Sequence, residues 1–196
     1  FDQSIAGIAE SSNKSVMEVM YEELLKNDGK TFVWAPFSPY PDHNLDTYKM
    51  MMEFESSVAG LSDGGAHCGL ICDASMPTWN IAHYTRDRVK GDKIPLEFLI
   101  RKQTKETAET FGLMDRGQIK EGYLADINII DHENLCVYKP EMVHDLPTGS
   151  RRIIQKAGGY IATIKSGVVT FKNDQATGEL PGTVLRGERT AEAISA

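Results

Sequence analysis

The chain has 196 residues, 41% of them hydrophobic and 25% charged, a composition that can bury a core. A net charge of −7 with no Lys/Arg cluster argues against nucleic acid as a partner. No apolar run approaches the roughly 18 residues of a membrane span, so no membrane partner is expected either.

The first predicted element is a helix through Ile5, Ile8 and Ala9, which reads as already in progress at Phe1 and suggests a piece of a larger protein. Ser15-x-x-Glu18 is a capping box for a second helix, with Val16/Met17, Met20 and Leu24 on one apolar face and Asp28–Gly29 as its stop. Thr31–Ala35 has the β-branched and aromatic content of a strand and runs into the proline-rich loop PFSPYPD. Asn44 is placed to cap a third helix through Leu45, Tyr48 and Met52, and a second strand is predicted over Ser57–Leu61. Helix, strand, helix, strand, with crossovers long enough for parallel pairing, indicates an α/β layer or barrel segment.

The second strand empties into Ser62–Asp63–Gly64–Gly65 and then Ala66–His67. The carboxyl ends of strands in α/β folds collect ligands and chemistry, and adjacent glycines let a ligand approach the backbone. Asp63 is therefore the first candidate for a working residue, with the turn-forming role of Asp before Gly as its alternative. Beyond it, helices are predicted over Thr78–Arg88, from Pro95 through Leu99 and Ile100, and from Thr104 to a stop at Gly112. The period then becomes two, with Ala125–Ile130 and Arg151–Gln155 strand-like and Tyr160–Thr163 and Val168–Phe171 flanking a Lys-Ser-Gly turn. Asp131–Pro147 is a mixed connection, and the final RTAEAISA has no anchor. Cys68, Cys72 and Cys136 cannot all pair and read as reduced thiols of a cytoplasmic protein; Cys68 and Cys72 lack the second pair a zinc knuckle would need.

The motif SDGGAH after a strand, GQIKEGYLADINIID, and IKSGVVTFKNDQATGELPGTVLRG together resemble the amidohydrolase superfamily, in particular its D-aminoacylase (N-acyl-D-amino-acid deacylase) branch. The resemblance implies the last part of a metal-dependent (β/α)8 TIM barrel over 1–114, holding the final two barrel strands. A C-terminal β-rich portion of a composite β-sandwich would follow over 115–187, and a frayed tail over 188–196. It implies that Asp63 is the strand-eight aspartate, metal-contacting and catalytic as general base. Zinc or another divalent metal is expected in the intact protein. The other family ligands, a His-x-His and later His, Cys or modified Lys positions, have no counterpart in this chain, so no tight metal binding is expected of it alone.

Amide hydrolysis needs a base for the attacking water and an acid for the departing amine, and one carboxylate can serve as both. His67 is a candidate to bind substrate, with an ordinary loop histidine as its alternative, and Ser62, Gly64 and Gly65 are candidates through their backbone groups. His83, His132 and His144 read as structural or surface residues. A substrate carboxylate calls for Arg, and the nearest are Arg86 and Arg88. The expected partners are an N-acyl amino acid or other amide substrate, the missing N-terminal half of the barrel, and a second copy in a homo-oligomer. The alternatives are a hydrolase of cyclic or other amides, and a non-catalytic scaffold or oligomerisation relative.

Overall fold

Two serines start the first two helices of the computed structural model, which describes residues 2–35, 44–60, 62, 64 and 67–186. Ser4 accepts from the Gly7 amide at 3.1 Å at the head of α1 (Ile5–Ser12), so this helix has its own cap and is not one already under way. Ser15 and Glu18 bond each other's backbone amides at the head of α2 (Val16–Gly29), completing the expected capping box. Regular helix stops at Lys26, short of Gly29, because Asn27 and Asp28 take left-handed φ of 52° and 57°, which their short polar side chains tolerate. Val19 and Ala9 are buried between α1 and α2, whereas Val16 and Met17 of the expected apolar face are exposed. The small residues of α1 cover a single position of α2.

Residues 31–35 carry no strand, and neither do 57–60. A parallel strand exists only through its neighbours' hydrogen bonds, and no described segment pairs with either. The loop 36–42 lies outside the described residues.

The chain divides between Asn44 and Leu45 into two units, the second running on from Leu45. Its first helix, α3 (Asp46–Glu53), starts with Leu45 in the N-cap position and no side-chain cap, so Asn44 does not take the capping role expected of it. Leu45, Tyr48 and Met52 pack against a core of Ile81, Ala82, Tyr84, Ile94, Leu99 and Leu135. Burial of each large side chain of this kind stabilises by about 1.5–3 kcal/mol. Leu135 comes from the β-rich stretch and is fully buried, so helices and strands share this core.

Two helices of this unit contain π-turns. α4 (Met76–Ala82) continues into a π-turn over His83–Asp87, and α5 (Leu96–Arg101) runs through a second π-turn, Lys102–Glu106, into α6 (Thr107–Thr110). The helix expected to begin at Thr104 is therefore a continuation of the one begun at Leu96. Gly112 ends it with φ of +71°, as expected.

Every ladder among the described residues is antiparallel. The main sheet has the order β1 (Ile127–Ile130), β6 (Tyr160–Lys165), β7 (Val168–Lys172), β8 (Gln175–Ala176). Between β1 and β6 lie β2 (Cys136–Val137) paired with β5 (Ala157–Gly158), and β3 (Glu141–Val143) paired with β4 (Arg152–Ile154). The connection 131–147 thus holds strands that its weak periodicity hid. Ser166 and Gly167, both at positive φ, make the tight hairpin turn expected at Lys-Ser-Gly.

The motif GQIKEGYLADINIID has a structural reason. Gly117 sits at φ of +85°, and a Cβ there would stand 2.8 Å from Lys105 Cα, so only glycine lets this turn lie against the second π-turn. Asp126 accepts from Lys165 Nζ at 2.9 Å and from the Ser166 amide at 2.9 Å, tying β1 to the hairpin turn. Burial pushes its carboxyl up, but Lys165, the Ser166 amide and Arg116 hold it below the usual carboxylate range.

Candidate active site

Asp63 and Gly65 lie outside the described residues; Ser62, Gly64, His67 and the chain on both sides are described. Ser62 is half-buried, while Gly64 and His67 are exposed. His67 has a left-handed φ of 54°, and its carbonyl accepts from the Leu70 and Ile71 amides at 2.7 and 2.9 Å. These bonds make it the first residue of a tight turn. A Cβ at Gly64 would meet Ala74 Cβ at an ordinary 3.5 Å, so space alone does not demand glycine there. No hydrogen bond joins Ser62, Gly64 and His67 to one another among the described residues.

The approach to position 63 is built with care. Ser57 closes the end of α3, its hydroxyl proton shared between the Met51 carbonyl at 2.5 Å and the Phe54 carbonyl at 2.8 Å, and its amide donating to the Phe54 oxygen at 3.1 Å. Lys102 reaches across from the second π-turn and donates to the Phe54 and Ser57 carbonyls at 3.1 and 2.6 Å. The Thr107 hydroxyl lies 3.1 Å from the Ala59 carbonyl. Glu106 pairs with Lys102 at 3.0 Å and with Arg101 at 2.6 Å. Burial pushes the Glu106 carboxyl up, yet these two cations hold it below the usual range, so it stays ionised beside Lys102.

On the exit side, the Ile153 amide of β4 donates to the Cys68 carbonyl at 2.6 Å. The Ser75 hydroxyl bonds the Gln155 side chain, whose Nε2 donates to the Tyr138 carbonyl at 2.8 Å. The chain is thus held at Phe54, Ser57 and Ala59 by a helix and at Cys68 by the β-rich stretch. Sequence reasoning missed Lys102, Glu106 and Thr107. A signal existed, because Lys102 falls three residues after the buried Leu99, on the buried face, where an unpaired lysine is costly.

The two arginines considered for a substrate carboxylate are engaged within the protein, although Arg88 Nη1 is buried without a hydrogen-bond partner among the described residues. Arg86 pairs with Asp87 and donates to the His132, Glu133 and Leu135 carbonyls. Arg88 is buried, pairs with Asp46, donates to the Lys90 carbonyl and stands 5.5 Å over the Tyr84 ring. Burial pushes the Tyr84 phenol up to about 12 despite that guanidinium, so it stays protonated. His83 stacks on Trp79 with ring centroids 4.4 Å apart, and burial together with Arg88 lowers its pKa. His132 meets Thr85 at 2.7 Å and His144 meets the Gly149 carbonyl at 3.2 Å, both structural contacts.

The three cysteines are free thiols. Burial, then the Asp73 charge, pushes the Cys72 thiol up and keeps it neutral. Among the described residues, which do not include Asp63, no three His, Cys, Asp or Glu come together as a metal would require. A shallow groove is lined by Glu55, Val58, Glu106, Glu109 and Thr110, with Glu106 and Glu109 paired to cations of their own helix.

Residues 33–171 match the amidohydrolase family. A D-aminoacylase from Alcaligenes xylosoxydans xylosoxydans is 33% identical over 105 residues, 54% of this chain and 19% of that enzyme. The match thus spans about a fifth of the length of the curated relative. No solved structure matches. With the family match running from residue 33 to residue 171, over more than half of its length, the chain belongs to the amidohydrolase family.

Proposed function

We propose that this chain is the C-terminal part of a hydrolase of non-peptide C–N bonds, most specifically an N-acyl-D-amino-acid deacylase. The observation that carries the reading is the 33% identity to a D-aminoacylase, together with the Ser-Asp-Gly-Gly sequence that follows a backbone segment held in place by Lys102 and Thr107. In this reading the barrel over 1–114, the sandwich portion over 115–187 and the tail over 188–196 are completed by polypeptide preceding Phe1. The tail and residue 187 lie outside the described residues.

Asp63 takes a proton from water as the water oxygen bonds to the amide carbon. It returns that proton to nitrogen as the C–N bond breaks, leaving a carboxylic acid and a free amine. Ser62, Gly64, Gly65 and His67 border the substrate. Zinc or another divalent metal belongs to the intact enzyme and draws its remaining donors from outside this stretch, a reading supported by the absence of His-x-His from the sequence. The three free thiols support a cytoplasmic location. A homo-oligomer is part of the same proposal.

A second reading, a cyclic-amide hydrolase, is favoured by one observation: Arg86 and Arg88 are both committed to the protein's own carboxylates and carbonyls. A neutral cyclic amide needs no arginine. The test is an assay of the full-length polypeptide on N-acetyl-D-amino acids, their L enantiomers and a hydantoin, reading released amine or ring opening. The D substrates should be hydrolysed, and residues 1–196 alone should be inactive and carry no stoichiometric zinc by elemental analysis. Turnover of the hydantoin alone would replace the first reading with the second, and turnover of none would overturn both.

A further inference from the structure

We infer that Lys102 and Thr107 are positioning residues that fix the backbone leading into Asp63; the inference rests on the reading of Asp63 as the proton carrier. The Lys102 side chain is 5% exposed, and its ammonium has three protons to place. Two go to the Phe54 and Ser57 carbonyls and the third faces Glu106 at 3.0 Å. A lysine serving only as a helix-surface ion pair would need Glu106 alone and would stay in water.

Thr107 lies five residues on, directly after the π-turn, and the wider turn brings residues 102 and 107 nearer to one face than an α-helix would. The single Thr107 hydroxyl proton is shared between the Lys102 carbonyl at 2.9 Å and the Ala59 carbonyl at 3.1 Å. Ser57 and Ala59 are alternate residues, and both carbonyls are caught by the same helix. The contacts from this helix reach as far as Ala59, before position 63 in the chain, and beyond it the Cys68 carbonyl accepts from the Ile153 amide. A displacement of about 1 Å in a reacting group costs on the order of 100-fold in rate, so slack at residues 54–59 falls on turnover.

The test uses the full-length enzyme with Lys102→Met, Lys102→Arg, Thr107→Val and Asp63→Asn, with kcat expressed per folded molecule. Lys102→Met should lower kcat on the order of 10- to 100-fold with KM within about twofold, Lys102→Arg should restore part of it, and Thr107→Val should cost several-fold. If Lys102→Met does not fold, Thr107→Val, a near-isosteric change, decides alone. Wild-type kcat in every variant that folds, or a loss confined to KM, overturns the inference. Asp63→Asn separates the two failures: if it stays active, the reading of Asp63 fails. If it is inactive while the Lys102 and Thr107 variants turn over normally, only the positioning role fails.

Discussion

The two π-turns use the same backbone device for different ends. The first, His83–Asp87, faces the β-rich stretch: Arg86 caps the carbonyls of His132, Glu133 and Leu135, Thr85 meets His132, and Tyr84 sits in the core beside Leu135. The second, Lys102–Glu106, faces the backbone that leads to Asp63 and grips it through Lys102 and Thr107. In both, the extra residue shifts the phase of the helix so that polar groups arrive on a face that would otherwise be apolar. The first turn joins helices to strands, and the second holds the backbone at residues 54–59, which the proposed reading makes the lead into the active site. Stability should depend mainly on the first and turnover on the second.

Truncating the first turn's anchor is the strongest way to break that contrast. Leu135→Ala should cost about 2–5 kcal/mol through the cavity it leaves in the shared core, with kcat per folded molecule unchanged. Denaturant unfolding of the full-length protein measures it, and a loss below about 1 kcal/mol would place the core elsewhere. Arg86→Met comes next. It leaves carbonyls at 132, 133 and 135 without their cationic donor and should cost about 1.5–3 kcal/mol in the same assay. An unchanged unfolding midpoint would mean that these carbonyls find other donors.

The smallest effect is one of pH. Burial and the Arg88 charge hold His83 below its ordinary 6.5, against the opposing pull of Asp87. The unfolded chain therefore takes up this proton first as pH falls. The contribution is fully present above about 6.5 and is lost as the pH drops from there to the lowered folded value. His83→Phe keeps an aromatic ring on Trp79 and should reduce the difference in stability between about pH 8 and about pH 5. An identical difference in the two proteins would show that His83 is not the group responsible.

What could be read in the sequence was what depends on near neighbours. The Ser15–Glu18 box and the Ser166–Gly167 turn each involve residues a few positions apart, and both form as expected. The motif around Gly117 and Asp126 was legible as a family mark, though its reason, a close approach to Lys105 and a tie to the hairpin, is tertiary. The π-turns were not legible, because residues 83–87 and 102–106 have the composition of ordinary helix and differ only in which carbonyl each amide meets. Thr31–Ala35 and Ser57–Leu61 have strand composition, but a strand requires partners that the described residues do not supply. Ser-Asp-Gly-Gly singled out position 63 as a candidate, whereas the hold on residues 54–59 was not legible, since Lys102 and Thr107 lie far along the chain from the carbonyls they bind.

The central claim is that the approach segment delivers Asp63 to carry a proton between water and the departing amine. The most direct measurement is the turnover of N-acetyl-D-amino acids by full-length Asp63→Asn, set beside its circular dichroism and melting curve. Turnover should fall by about 100- to 10,000-fold, the range general acid–base catalysis contributes, while the fold and melting stay those of the parent. Turnover near the parent's in a folded Asp63→Asn protein would contradict it.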